Sequence, residues 1–404
     1  MTEPIINHRA ARRGKPGLHA LIVGVSRYPH LPDEEENSDS ANLKMRQLSS
    51  SAVAAYKVYQ WLVKWQNHLE VPLTTCRLLL SPSPVELKNE PTLKGLASPA
   101  TLDNFREFVK AWREDARSSN RNMTLFYFAG HGVQRVRGDH VILLEDFDEN
   151  EDPILQHAVD TTALIDGMAP IEGKPDIART QLYFLDACRI TPALFATYEQ
   201  TPTAPLWDSK KKSPGEEFTA VLFYATGPGR EAYGIKGEQT LFSKALIACL
   251  DGGAGYEDDN QLDDQGRPQW FVTTNSINNA LEYYIRRVNQ EINTLQTQMF
   301  RTSGLGPAVV LHRLNGPPEV DITLRIVPSA ALDFARVEVL NDSGVPIWDL
   351  SIPLCPHPYF ARLAAGHYQV GAKIDPAKPQ YKDYKVRRMY VSPPEKKWII
   401  KVDG

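Results

Sequence analysis

Cysteine is scarce in this chain: four in 404 residues, Cys76, Cys188, Cys249 and Cys355, each standing alone. No C-x-x-C pair occurs, which argues against the common zinc spacings and against a disulfide framework. Long apolar runs are missing as well, and no stretch approaches the roughly 20 residues that a membrane-spanning helix needs. The segment 1–17 is basic at Arg9, Arg12, Arg13 and Lys15 but has no apolar h-region, so it reads as a disordered lead-in and not as a secretion signal. Charge of one sign is not in excess; a formal net charge of -4 supplies no global attraction to nucleic acid. Repeats at solenoid periods are absent. What is left is an ordinary globular composition, 42% hydrophobic, with room for one large domain and a smaller one, expected in a reduced, cytoplasmic setting away from membranes.

Apolar spacing outlines the fold. Leu18–Val25 is a continuous apolar run closed by Ser26-Arg27-Tyr28-Pro29, the pattern of a strand buried on both faces. Between Leu48 and Leu69, the positions Val53, Tyr56, Val58, Leu62 and Trp65 predict a helical face. Thr75–Leu80 reads as a strand, and Thr101 as the N-cap of a helix carrying Phe105, Phe108, Val109 and Trp112. A short strand is expected at His140–Leu144, a helix over Thr162–Met168, and a strand again at Phe218–Ala225. Helices are expected at Phe242–Leu250 and Ile277–Val288, and a last core strand at Pro307–Leu311. Glu145–Asp152 and Tyr256–Gln265 read as acidic loops, and 190–217, rich in Pro, Thr and Lys, as an exposed flexible connection. Gly316-Pro317-Pro318 marks a boundary, beyond which alternating segments predict an all-β sandwich over 319–404.

Two strands carry the chemistry. Met123–Ala129 runs into Gly130-His131-Gly132, and Gln181–Leu185 runs into Asp186-Ala187-Cys188-Arg189. As parallel neighbours they would deliver both side chains to one sheet edge, where ligands collect in open α/β sheets. A thiol is mostly protonated at neutral pH, and an adjacent imidazole both assists its ionisation and returns a proton to the leaving group. Alone, His131 reads equally as a loop histidine and Cys188 as a buried strand-end cysteine. Together they point to a cysteine hydrolase.

These motifs, preceded by Ala20-Leu21-Ile22-Val23-Gly24 and followed by Tyr224-Ala225-Thr226-Gly227-Pro228-Gly229, resemble those of the caspase-like peptidases, particularly the prokaryotic relatives of metacaspases. The resemblance spans a domain placed at 18–315 and leaves out the C-terminal module. It implies a mostly parallel six-stranded sheet flanked by helices, Cys188 as nucleophile with His131 as its partner, and an oxyanion hole from the backbone N–H groups of Gly132 and Cys188. It implies no cofactor. Asp186, Tyr224, Ala225 and Thr226 would contact substrate, with Asp186 favouring Arg or Lys before the scissile bond as in metacaspase-like members. The competing reading of Asp186 is an ion pair or hydrogen bond inside the fold, since a buried carboxylate is costly without a partner.

There are departures and open choices. Related chains often carry an Asp-Ala pair on the first long helix, where this one reads Ala54-Ala55. Some metacaspases need calcium, but neither acidic loop follows the EF-hand spacing, and solvated turns explain both, so no metal ligands are assigned. Lys210-Lys211-Lys212 is either a solvated loop or a self-cleavage site. Leu363–Val370 resembles the strand-turn-strand of transthyretin-like sandwiches, and His357 and His367 read as surface or packing residues.

The expected function is a caspase-like cysteine endopeptidase acting on protein substrates after Arg or Lys. It would be held as a zymogen and controlled by processing, by an activating protease or other upstream regulator, or by the C-terminal module, and bacterial relatives often serve in defence or regulated death. Two alternatives stand beside it. One is a catalytically silent scaffold that binds partners through the β-module; the other cuts after acidic residues, which Asp186 opposes by like charge.

Overall fold

The computed structural model describes residues 3–32, 45–136, 139–149, 153–193, 195, 200–208, 218–295, 299–303, 308–350 and 358–402. The chain forms two compact units, one from Met1–Ile247 with Leu281–His312, the other from Ala248–Ala280 with Arg313–Gly404.

The first unit is built on a seven-stranded sheet in the order Ile6–Asn7, Leu73–Ser81, Leu18–Val25, Met123–Ala129, Thr180–Asp186, Thr219–Tyr224, Met299–Ser303. The inner strands run parallel, and the two short outer ones are antiparallel to their neighbours. Every residue of Leu18–Val25, Leu73–Ser81 and Met123–Ala129 is buried, as a sheet covered on both faces requires. The sheet is the mostly parallel one that the resemblance implies, with one more strand than the six expected: Ile6–Asn7 is the addition, and Met299–Ser303 supplies the far edge, whereas Val310–Arg313, close to the strand expected at Pro307–Leu311, is not a member.

Helix Ser51–Trp65 packs closely on the sheet because small residues meet. A Cβ on Gly24 would lie 2.6 Å from Ala55 Cβ and 2.7 Å from the Ser51 carbonyl oxygen. Ala54 and Ala55 are fully buried, so the alanine pair is a packing surface here. This helix has no side-chain cap of its own. Instead the buried Glu86 carboxylate accepts hydrogen bonds from Ala52 N (3.0 Å), Val53 N (3.1 Å) and Ser26 Oγ (3.0 Å). Helix Leu102–Ala116 starts where expected, with Thr101 Oγ1 accepting from Asn104 N at 3.4 Å.

Several expectations are corrected. The described part of the N-terminal segment is not a free tail: Ile6 and Asn7 pair with Cys76 and Thr75. Arg9 Nε also donates to Asp115 Oδ1 at 2.8 Å, and the other Asp115 oxygen takes Thr75 Oγ1 at 3.0 Å and the Arg77 guanidinium. One of its basic residues is thus used as an anchor. The stretch Tyr256–Gln265 is mostly strand, since Gly255–Leu262 pairs with Pro268–Thr273 in a hairpin. In the acidic stretch starting at Glu145, that residue is buried and accepts from Ser81 Oγ at 2.6 Å.

In the second unit, two sheets face each other: Tyr359–Ala364, Glu319–Val327, Glu395–Lys401, and Pro346–Leu350, Ala335–Asn341, Gly366–Ile374, Tyr384–Val391. Val320, Ile322, Leu324 and Ile326 alternate inward along Glu319–Val327 and pack with Val337, Val339, Val370 and Trp398. Trp270, from the 248–280 segment that chain order assigns to the larger domain, is buried in this same core.

Candidate active site

Strand register sets the site. Ala129 pairs with Asp186, so His131 and Cys188 each stand two residues beyond a paired position at the carboxyl ends of adjacent parallel strands. The two chains stay together past those ends. Gly130 N donates to the Asp186 carbonyl at 3.3 Å, Val133 bridges Ile190 in parallel, and Gln134 N donates to the Ile190 carbonyl at 2.8 Å. Between these contacts Gly132 lies against the Cys188 main chain. A Cβ there would fall 2.7 Å from the Cys188 carbonyl oxygen and 2.9 Å from Ala187 Cβ, so only glycine fits.

The imidazole is fixed by the Arg46 main chain and by Tyr28. His131 Nε2 lies 2.6 Å from the Arg46 carbonyl oxygen. A carbonyl only accepts, so Nε2 carries the proton and Nδ1 is the basic nitrogen. Tyr28 holds the ring and its backbone: the ring centroids are 4.9 Å apart, and the Tyr28 hydroxyl accepts from His131 N at 2.8 Å while donating to the Leu143 carbonyl at 3.3 Å. Burial lowers the His131 pKa to about 4, against which the Arg46 hydrogen bond works.

Cys188 is half-buried, and its sulfur accepts from Ala232 N at 3.2 Å. Burial raises its pKa; the charges of Glu231 and Asp186 add to that, and the Ala232 N–H works the other way. At neutral pH the resting pair is therefore thiol and neutral imidazole. Among the described residues the other free cysteines, Cys76 and Cys249, are fully buried with pKa values pushed up by desolvation, and they behave as small hydrophobes.

Behind Cys188, His140 Nε2 donates to the Cys188 carbonyl at 3.1 Å. Burial and the Arg189 charge push the His140 pKa down to about 3, so it is a neutral donor. The Tyr224 ring joins the group, edge-on to His140 at 5.6 Å and 4.4 Å beneath the Arg189 guanidinium.

Asp186 is 2% exposed. One carboxylate oxygen, Oδ2, takes the hydroxyls of Tyr127 (2.8 Å) and Thr240; the other, Oδ1, has no hydrogen-bond partner among the described residues. Burial raises its pKa to about 6 in spite of the two hydroxyls. Tyr224, Ala225 and Thr226, expected to contact substrate, are all buried. Their visible roles are internal: Ala225 N donates to the Leu185 carbonyl (2.9 Å) and Thr226 Oγ1 to the Arg230 carbonyl (3.2 Å), bracing the loop that carries Ala232. Lys210, Lys211 and Lys212 lie outside the described residues.

Asp146, Glu149 and His157 bring ligand atoms within 4.8 Å of one another, the one such grouping found among the described residues. Both Asp146 oxygens already accept from Leu102 N, at 3.0 and 3.1 Å. No described helix is long and apolar enough to cross a membrane.

Sequence reasoning overlooked Tyr28, the Arg46 carbonyl, His140 and Ala232. Tyr28 and His140 stood in plain view, in the residues closing the first strand and opening the short one. The other two act through main-chain atoms, which leave no residue-type signal.

Residues 18–299 match the family described as Caspase domain, Peptidase_C14. An uncharacterized protein of Sinorhizobium fredii, y4kE, is 24% identical over 276 residues, covering 67% of this chain and 74% of that protein. Among solved structures, protein GSU0716 from Geobacter sulfurreducens aligns with a TM-score of 0.40 at 13% identity, over 72% of this chain and 95% of that one.

Proposed function

The chain belongs to the caspase-domain family, and from that premise we propose that it is a cysteine endopeptidase in which Cys188 is the nucleophile, His131 the acid-base partner, and Arg or Lys precedes the cut. The observation that carries this reading is the strand register that brings His131 and Cys188 to adjacent strand ends, where the Arg46 carbonyl on His131 Nε2 leaves Nδ1 as the basic nitrogen. As the Cys188 sulfur bonds to the substrate carbonyl carbon, its proton passes to Nδ1. The C–N bond then breaks, and the amine leaves with that proton. Water attacks the thioester, giving a proton to Nδ1, and the thiol is restored as the carboxylic acid departs. The N–H groups of Gly132 and Cys188 hold the oxyanion, which the close approach at Gly132 supports.

A preference for basic side chains is supported by the Asp186 oxygen that has no hydrogen-bond partner among the described residues. The Ala232 amide on the Cys188 sulfur supports a resting form, from which the thiol must be released before it attacks. Processing near Lys210–Lys212 or an upstream regulator would supply that release, in a cytoplasmic setting such as bacterial defence. No cofactor enters the mechanism.

The deciding experiment is hydrolysis of fluorogenic Arg, Lys and Asp peptides by the wild type and Cys188→Ala, with intact-mass detection of cleavage near Lys210–Lys212. Cleavage of the basic peptides that vanishes in the variant supports the reading. Cleavage after Asp would overturn the specificity, and an inert, fully processed chain would favour the scaffold alternative.

A further inference from the structure

The second unit contains a cavity of about 730 Å³ formed by the 248–280 segment and the sandwich strands of that same unit. Its size lies within the roughly 300–1,000 Å³ typical of ligand pockets. Its walls are aromatic on more than one side: Tyr256 and Trp270 come from the hairpin, His367 and Tyr390 from the sandwich. His367 and Tyr390 are directly opposed across paired strands, with ring centroids 4.9 Å apart. Glu257, paired with Trp270 across the hairpin, and Asp259, in the stretch where the hairpin register shifts, both line this space. The Tyr390 hydroxyl donates to Glu257 Oε2, and both carboxylates help to raise the Tyr390 pKa, which places the ring among them. No Lys or Arg is among the described lining residues.

We propose that this cavity binds the guanidinium group of an arginine side chain presented by a peptide. Aromatic faces attract cations, and two nearby carboxylates without a lining counter-charge favour one strongly. A quaternary ammonium has no hydrogen to give those oxygens, so it would use only the rings. A guanidinium is planar enough to stack on Tyr or His rings while donating to Glu257 or Asp259. Hence arginine is preferred over lysine. The inference does not rest on the peptidase reading, since no residue of the 131–188 site takes part.

The test is calorimetric titration of the full-length Cys188→Ala/Asp186→Asn chain, in which the pocket proposed for a substrate arginine has lost its charge, with N-acetyl-arginine amide, compared with N-acetyl-lysine amide and tetramethylammonium. Saturable binding of the arginine probe is expected below about 10 mM. In that background Glu257→Gln combined with Asp259→Asn weakens it at least about tenfold. Tyr390→Phe keeps the ring, frees Glu257 and retains binding, so it tests the site should the double variant fold poorly. No saturable binding would overturn the assignment, as would binding that survives Glu257→Gln/Asp259→Asn. Tetramethylammonium binding as tightly as the arginine probe would overturn the guanidinium preference.

Discussion

His140 Nε2 donates to the carbonyl of Cys188 at 3.1 Å, so the proposed nucleophile is held through its main chain by a second, neutral histidine. His140 is a positioning residue in this scheme. Its removal leaves a buried carbonyl without its donor, a loss of about 1–3 kcal/mol. His140→Ala is expected to lower kcat at least about tenfold with KM within about twofold, because the thiol loses alignment while the substrate pocket is kept. His140→Gln, which retains an N–H donor, restores part of the rate. Steady-state kinetics on an Arg peptide decide this, and a change confined to KM would refute the positioning role.

Gly132 admits no side chain. Because an added Cβ would sit 2.7 Å from a backbone oxygen, 2.8 Å from His140 Nε2 and 2.9 Å from Ala187 Cβ, the main chain itself must shift in Gly132→Ala. Overpacking of this kind costs about 1–3 kcal/mol, so the variant folds with a lowered Tm. Peptidase activity drops at least about a hundredfold if the Gly132 N–H is an oxyanion donor, comparable with removing one such donor elsewhere. Equal activity in a folded variant would remove Gly132 from the mechanism.

Asp186 links pH to both stability and rate. Its folded pKa of about 6 lies above the ordinary 3.8. Its stabilising contribution is therefore complete below about 3.8 and is lost as pH rises through about 6, a change of about 3 kcal/mol by linkage. Asp186→Asn should gain Tm over the wild type at pH 8 and little at pH 4. In the wild type, kcat/KM for Arg peptides rises through pH 6 as the carboxylate ionises. In Asp186→Asn that limb moves down to about 4, where His131 titrates. A limb that stays at 6 in the variant would show that another group controls it.

Apolar runs reveal the sheet because strands buried on both faces must be apolar throughout, as in Leu18–Val25 and Met123–Ala129. His131 and Cys188 were legible for a related reason: each ends such a run, and the Ala129–Asp186 register aligns the two ends. Main-chain partners such as the Arg46 carbonyl are invisible to residue type. The Tyr256–Gln265 strand was hidden by its own composition, since an exposed hairpin strand carries Asp, Glu and Asn where a buried one carries Val and Ile. Likewise Arg9 looked like part of a disordered tail because its partner, Asp115, comes from a helix far along the chain.

Glu86 joins helix capping to the site. Its Oε1 accepts from Ala52 N, Val53 N and Ser26 Oγ, and its Oε2 from Ser83 N at 2.8 Å and Ser83 Oγ at 2.9 Å. Burial raises its pKa, and these donors pull it back toward the charged form. Ser26 closes the strand that leads to Tyr28, and Tyr28 holds His131. Glu86→Ala leaves several buried donors unmet and should cost about 2–4 kcal/mol, with kcat falling as Tyr28 and His131 lose support. Glu86→Gln presents an acceptor to only one of the two sets of donors, so an intermediate loss is expected. Denaturant unfolding alongside kinetics checks both effects. Unfolding that shifts while kcat stays at the wild-type value would show that Glu86 serves the helix alone and that Tyr28 is held by other contacts.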